Sequence, residues 1–202
     1  MCNLYSNRRT AAEIADLFRA INNAAGSNHG ELVYPQYPGL VVAGGEVRSM
    51  TWGFPLAQRS KKTGQPLKPR PVNNARTDKL DSFMWRFSFA ERRCLIPADA
   101  WAEAEGERGA MTRTWLSLPD REAFAIAGIW RDSDEWGPVY SMVMTDASEA
   151  FAAVHDRMPV LLAADDHAVW TDGSPEAAFS LCKPWRGAVT IKRTEESWSR
   201  SK

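Results

Sequence analysis

A cysteine stands at position 2, directly behind the initiator methionine, and its chemistry depends on that place. Methionine aminopeptidase generally removes Met1 ahead of a small side chain, so the mature chain is expected to open with an α-amine and a thiol on adjacent carbons. Such a β-aminothiol takes up an aldehyde first as an imine on its nitrogen. The thiol then closes on the imine carbon to give a five-membered thiazolidine, which no internal cysteine can form. Reference pKa values of roughly 7.7–8.0 for an α-amine and about 8.5 for a thiol leave a useful fraction of both groups unprotonated near neutral pH. The competing reading is a cysteine that occupies position 2 by chance.

Two further residues suit proton transfer. His155, in Val154-His155-Asp156-Arg157-Met158-Pro159, belongs to a polar triplet between two apolar segments. An expected helix-to-strand junction there lets an imidazole face a cleft and titrate near neutrality. Glu103, in Asp99-Ala100-Trp101-Ala102-Glu103, shares one face of a strand with Trp101, and a carboxyl beside a tryptophan is expected to be partly buried with a raised pKa. A structural histidine and an exposed strand glutamate are the simpler alternatives. The segment 57–78 carries Arg59, Lys61, Lys62, Lys68, Arg70 and Arg76 against a single acid, Asp78, and contains Asn73-Asn74-Ala75-Arg76. Its proline content predicts a loop, either a solvated linker or an anion-binding one.

Other chemistries lack their residues. His29, His155 and His167 lie far apart, and the three cysteines, Cys2, Cys94 and Cys182, show no CxxC or ligand spacing, so no metal site is expected. Glycine-rich phosphate loops and a Gly-x-Ser-x-Gly elbow are absent from the sequence, and no cofactor is expected.

The elements that must position these residues read as α+β, with an antiparallel, barrel-like β core and peripheral helices. Thr10-Ala11-Ala12-Glu13 is a capping box ahead of Ile14, Leu17, Phe18 and Ile21 at helical spacing, predicting a helix from Ala11 to Ala25. Strands are predicted at Leu40–Ala43, Val47–Trp52, Cys94–Ile96, Trp101–Glu105, Thr114–Leu118, Ala123–Trp130 and Val139–Thr145. Later helices are expected at Ser148–Val154, Ala164–Trp170 and Pro175–Leu181. With 202 residues, 44% of them hydrophobic, the chain is expected to form a single domain over 1–202 and to be monomeric. Its 25 basic and 25 acidic side chains cancel, which counts against tight nonspecific binding of nucleic acid. The apolar run Met158–Ala164 is far shorter than the roughly 20 residues that span a bilayer, so no membrane association is expected. The first 25 residues carry Arg8, Arg9, Glu13, Asp16 and Arg19 in place of an apolar signal core, and a cytoplasmic location is expected.

Several motifs stand in a recognisable order: Met1-Cys2, Trp52-Gly53 before the basic segment, Asn74-Ala75-Arg76, Arg93-Cys94-Leu95-Ile96-Pro97-Ala98-Asp99 leading to Glu103, Phe124–Trp130, and His155-Asp156-Arg157-Met158-Pro159-Val160. Together they resemble the SRAP family, the SOS response-associated peptidase domain that covalently captures abasic sites in single-stranded DNA. The resemblance implies Cys2 as nucleophile, Asn74 orienting it and the opened sugar, Glu103 moving protons during imine formation, and His155 helping to open the deoxyribose ring or reverse the crosslink. It also implies DNA contacts by Arg76, Trp52, Arg70 and Arg157. Asn3-Leu4 stand where many members have Gly-Arg, Thr77 replaces a frequent acid, and Ala102 and Ala104 replace aromatic residues around the central glutamate; these departures touch DNA grip more than covalent chemistry. Two other classes stay open: an N-terminal-nucleophile thiol peptidase that removes its own Met1, and a non-catalytic single-strand binder.

Overall fold

The computed structural model describes residues 2–119, 121 and 123–199. Its strands are β1 (Leu4–Ser6), β2 (Ile21–Asn22), β3 (Leu32–Val33), β4 (Pro38–Ala43), β5 (Glu46–Trp52), β6 (Phe54–Arg59), β7 (Pro66–Val72) and β8 (Asn74–Arg76). After these come β9 (Arg93–Ala98), β10 (Ala100–Glu105), β11 (Thr112–Ser117), β12 (Phe124–Ser133), β13 (Gly137–Asp146), β14 (Arg157–Pro159), β15 (Leu161–Leu162) and β16 (Thr190–Ser197). Short helices flank them: α1 (Ala11–Phe18), α2 (Arg86–Glu91), α3 (His167–Asp172) and α4 (Pro175–Ser180), with 3-10 turns at Thr77–Lys79 and Ala164–Asp166. The α+β class and the barrel-like core are as expected.

The barrel closes through five strands. β13, β12, β9, β4 and β5 pair antiparallel in that order, and the end of β5 returns to β13 in parallel, Thr51 opposite Val139 and Trp52 opposite Tyr140. A second, antiparallel sheet runs β16-β11-β10-β1-β3 and holds both β1, which Cys2 leads into, and β10, which carries Glu103. Barrel strands are apolar at successive positions because both of their faces are buried. On β4, Leu40 and Val42 join a cluster with Ile14, Phe89 and Trp170 of the helices. Val41 and Ala43 face a second cluster with Cys2, Tyr5 and Trp101 of the other sheet. The period of two sends alternate residues to alternate cores.

β13 is long enough to serve four partners. Along one edge it pairs with β12 and then, at Met144–Asp146, with β14; along the other it meets β5 and then β8, with Asn74 opposite Met142 and Arg76 opposite Met144. Thus the Asn-Ala-Arg triplet and the Arg157 segment, about eighty residues apart in sequence, flank the same end of one strand.

Three expectations are corrected. The first helix ends at Phe18, where Arg19 turns left-handed at φ 52°; the β-branched Ile21 and two asparagines favour leaving the helix, and Asn22 uses its side-chain oxygen to accept the Ala24 N–H. Ser148–Val154 forms turns around a fully buried Phe151 instead of a helix. Most of the basic segment is a two-stranded ribbon, β6 against β7, with Phe54 opposite Val72 and Arg59 opposite Pro66. Its prolines are tolerated because β7 pairs with no strand but β6 among the described residues. Helices near Ala164–Trp170 and Pro175–Leu181 are present as α3, behind a 3-10 turn, and α4. No helix among the described residues is long and apolar enough to cross a membrane.

Candidate active site

Cys2 is fully buried at the entry to β1, its thiol donating to the Leu4 carbonyl at 3.4 Å. Two adjacent amides hold its backbone: Asn74 Nδ2 donates to the Cys2 carbonyl at 2.7 Å and Asn73 Nδ2 at 2.9 Å. Asn73 Nδ2 also donates to Asn3 Oδ1 at 3.0 Å. Asn74 therefore contacts Cys2 at its backbone carbonyl, and Asn73 shares that contact. The paired asparagines in the sequence were the only signal for that second anchor.

Trp52 and β13 fix the anchors in turn. The Trp52 indole N–H and the Met142 N–H both donate to the Asn73 carbonyl, each at 3.0 Å. Trp52 is itself fully buried, edge-on to Tyr5 with centroids 5.1 Å apart and stacked near Tyr140 at 6.4 Å. A stacking surface for DNA is thus not offered by this tryptophan, whose role in the structure is to support Asn73. Gly53, at φ +118°, follows it; a Cβ there would lie 2.6 Å from Pro71 Cβ, so only glycine lets the basic ribbon fold back at this point.

Glu103 lies on β10, a strand paired on both sides, with Thr114 opposite it on β11. It shares a strand face with Trp101, and both are buried, Glu103 at 2% exposure. Burial pushes its carboxyl up to about 7. The Cys2 thiol is pushed far above its ordinary range, first by burial and then by the charge of Glu103, which places the two groups in one electrostatic environment.

His155 lies on the turn before β14, three residues ahead of Met158, which is buried in the same cluster as Cys2. Its Nδ1 is 3.0 Å from the Arg157 N–H and 2.7 Å from Asp156 Oδ1. One ring nitrogen cannot serve both: neutral, it accepts from Arg157; protonated, it donates to Asp156. Partial burial lowers the pKa, with Asp156 opposing, so the neutral form that accepts from Arg157 is favoured.

Arg76 and Arg157 are brought together by β13, but neither is a bare cation. Arg76 makes a bidentate pair with Asp78, Nε to Oδ1 at 2.8 Å and Nη2 to Oδ2 at 2.7 Å. Arg157 reaches the same carboxylate at 3.6 Å and Asp146 at 3.4 Å. Arg70 stands exposed on β7 of the ribbon, opposite Leu56, apart from this network. Among the described residues no group of three or more His, Cys, Asp or Glu side chains is placed to hold a metal ion.

Comparison with known families matches residues 1–196 to SRAP, the SOS response associated peptidases. This chain belongs to the SRAP family. It is 29% identical over 151 residues to the abasic site processing protein YoaM of Bacillus subtilis, a match covering 67% of this chain and 62% of YoaM. It is 28% identical over 148 residues to the abasic site processing protein YoqW of Bacillus phage SPbeta, covering 67% and 63%. The matched region thus spans less than two thirds of the length of these relatives. The SRAP chain shares its fold with a crystal structure of a Bordetella bronchiseptica protein (TM-score 0.79, 22% identity, 96% of this chain and 99% of that one). A Bacteroides thetaiotaomicron protein is similar as well (TM-score 0.77, 21% identity, 95% and 91%).

Proposed function

We propose that this chain processes abasic sites in DNA, capturing the ring-opened aldehyde of a single-stranded abasic site as a thiazolidine on Cys2 after Met1 is removed. The observation that carries the reading is the double amide grip on the Cys2 carbonyl beside a buried carboxyl that titrates near 7. A residue whose side chain alone reacts has less need of a fixed backbone, whereas an α-amine and a thiol that must meet one carbon in sequence gain from a carbonyl held by two amides.

The steps follow from the groups present. His155 assists opening of the closed sugar to the aldehyde. The Cys2 amine adds to the aldehyde carbon, forming a C–N bond and a carbinolamine; the protonated Glu103 carboxyl gives its proton to the departing hydroxyl, water leaves as an iminium forms, and the nitrogen returns its proton to the Glu103 carboxylate, leaving an imine. The thiol sulfur then adds to the imine carbon while its proton passes to the nitrogen, closing the ring, so one water is lost in all. Removal of Met1 supplies the nucleophile for the first step, because the free α-amine adds to an aldehyde where the residue 2 amide would not. Arg76 and Arg157 take backbone phosphates, and Arg70 adds charge from the ribbon.

The test is an intact mass of the processed protein after mixing with an abasic single-stranded oligonucleotide. The expected mass is the sum of both partners less one water, stable to heat; Cys2→Ser forms at most a labile imine. A heat-stable adduct of undiminished yield in Cys2→Ser removes the aminothiol from the mechanism, and one that persists with an N-terminal extension assigns the chemistry to the thiol alone.

A further inference from the structure

The turn 147–156 has two sides. The Ala147 N–H donates to the Asp156 carbonyl at 3.0 Å and closes it, leaving His155 at one limb. Against the other limb, between residues 147–150 and 183–186, lies a cavity of about 680 Å³ that none of the proposed chemistry uses. A cavity of this volume falls in the usual range for small-ligand sites.

Its lining is chemically specific. Trp185 forms one wall, packed on the same core cluster as Cys2, and the Arg121 guanidinium sits 5.8 Å from its ring centroid. Lys183 and Arg186 are exposed at the rim and pair with no acid among the described residues, while Glu149 is the one acidic side chain of the lining. Beneath it, the Ser148 hydroxyl oxygen and the Trp185 indole nitrogen are both shielded from solvent without a hydrogen-bond partner among the described residues. An indole face and cations that pair with no acid among the described residues together match a ligand with a planar ring and a phosphate.

We propose that this cavity seats a nucleotide of the single-stranded DNA flanking the captured site, its base against Trp185 and its phosphate against Lys183 and Arg186. The proposal rests on reading the chain as a DNA-processing protein. It extends the binding surface past His155, so strand occupancy of the cavity and the placement of His155 share one closed turn. It also supplies cations that the Asp78 and Asp146 pairs withhold at Arg76 and Arg157.

The experiment measures noncovalent binding of an undamaged oligothymidylate of about 20 nucleotides across a salt series. Variants are Trp185→Ala, Trp185→Phe and the double charge reversal Lys183→Glu/Arg186→Glu. Trp185→Ala is expected to weaken binding about tenfold to a hundredfold, as for loss of one stacked base, with Trp185→Phe recovering most of it. The double reversal is expected to lower the slope of log affinity against log salt by about 1.4, two single-strand phosphate contacts. Because Lys183 and Arg186 are exposed, that variant keeps the test valid should Trp185→Ala fail to fold. A second arm irradiates a 5-iodouracil oligonucleotide bound to the protein and maps the adduct, expected within 183–186 or 147–150. Wild-type affinity and salt slope in all variants, or adducts mapping only elsewhere, overturn the proposal. Loss of abasic capture by the wild-type protein, with Trp185-dependent binding intact, would overturn the proposed function and leave the cavity assignment standing.

Discussion

Burial on β10 raises the Glu103 carboxyl to about 7, and the same burial that suits it to the proposed proton transfer costs the fold. Its folded-state pKa lies above the unfolded value near 4.5, so the stability it contributes is full below about pH 4.5 and is lost as pH rises through about 7. Glu103→Gln removes that loss. The variant is expected to match wild type near pH 4.5 and to be more stable at pH 8 by up to about 3 kcal/mol, read from urea unfolding at both values. Capture in single turnover is expected to slow by about 10²–10⁴-fold at the chemical step. A variant that captures abasic DNA at the wild-type rate would return Glu103 to a structural role. Cys2, Glu103 and His155 could be nominated from the sequence because the chemistry expected of them is a matter of residue type and immediate neighbours. The second anchor, Asn73, needed the structure, since its task is defined by a carbonyl about seventy residues away.

The elements decide how much of the positive charge is available. β8 and β14 flank the end of β13 and so put Arg76, Asp78, Arg157 and Asp146 in one chain of ion pairs, with Asp78 gripping Arg76 as a bidentate phosphate would. A DNA phosphate bound by Arg76, as proposed, has to displace that carboxylate. Asp78→Asn is expected to tighten binding of single-stranded DNA several-fold and to steepen its salt dependence by up to one phosphate contact, measured by anisotropy across a salt series. Unchanged or weaker binding would mean that Asp78 serves to aim Arg76. The sequence showed Asp78 beside Arg76 but not that Arg157 shares it. The ribbon was missed for a related reason: prolines in the segment spoke against a strand, and only the absence of a strand partner for β7 other than β6 among the described residues makes them compatible with one.

At the scale of the molecule, the site depends on closure of the barrel where β5 returns to β13 at Trp52 and Tyr140. Gly39 on β4 makes room for this: a Cβ there would lie 2.2 Å from the Tyr140 hydroxyl and 2.4 Å from the Tyr5 hydroxyl, which are hydrogen-bonded to each other. Gly39→Ala is expected to destabilise the protein by about 1–3 kcal/mol in urea unfolding and to disturb the Trp52 packing that supports Asn73. A change below about 0.5 kcal/mol would show that the tyrosine pair yields without cost. Tyr5, Gly39, Trp52 and Tyr140 meet only in the folded chain, and nothing in their local spacing announces it. What the sequence by itself determined were the groups able to react, the capping box of α1, and the apolar strands of the barrel, because side-chain chemistry, capping and a period of two are local properties. Barrel closure through a parallel contact, the burial of Trp52, the pairing of the arginines and the cavity at Trp185 were decided by tertiary structure. Each depends on which distant strands become neighbours, a choice made by the packing of the whole core.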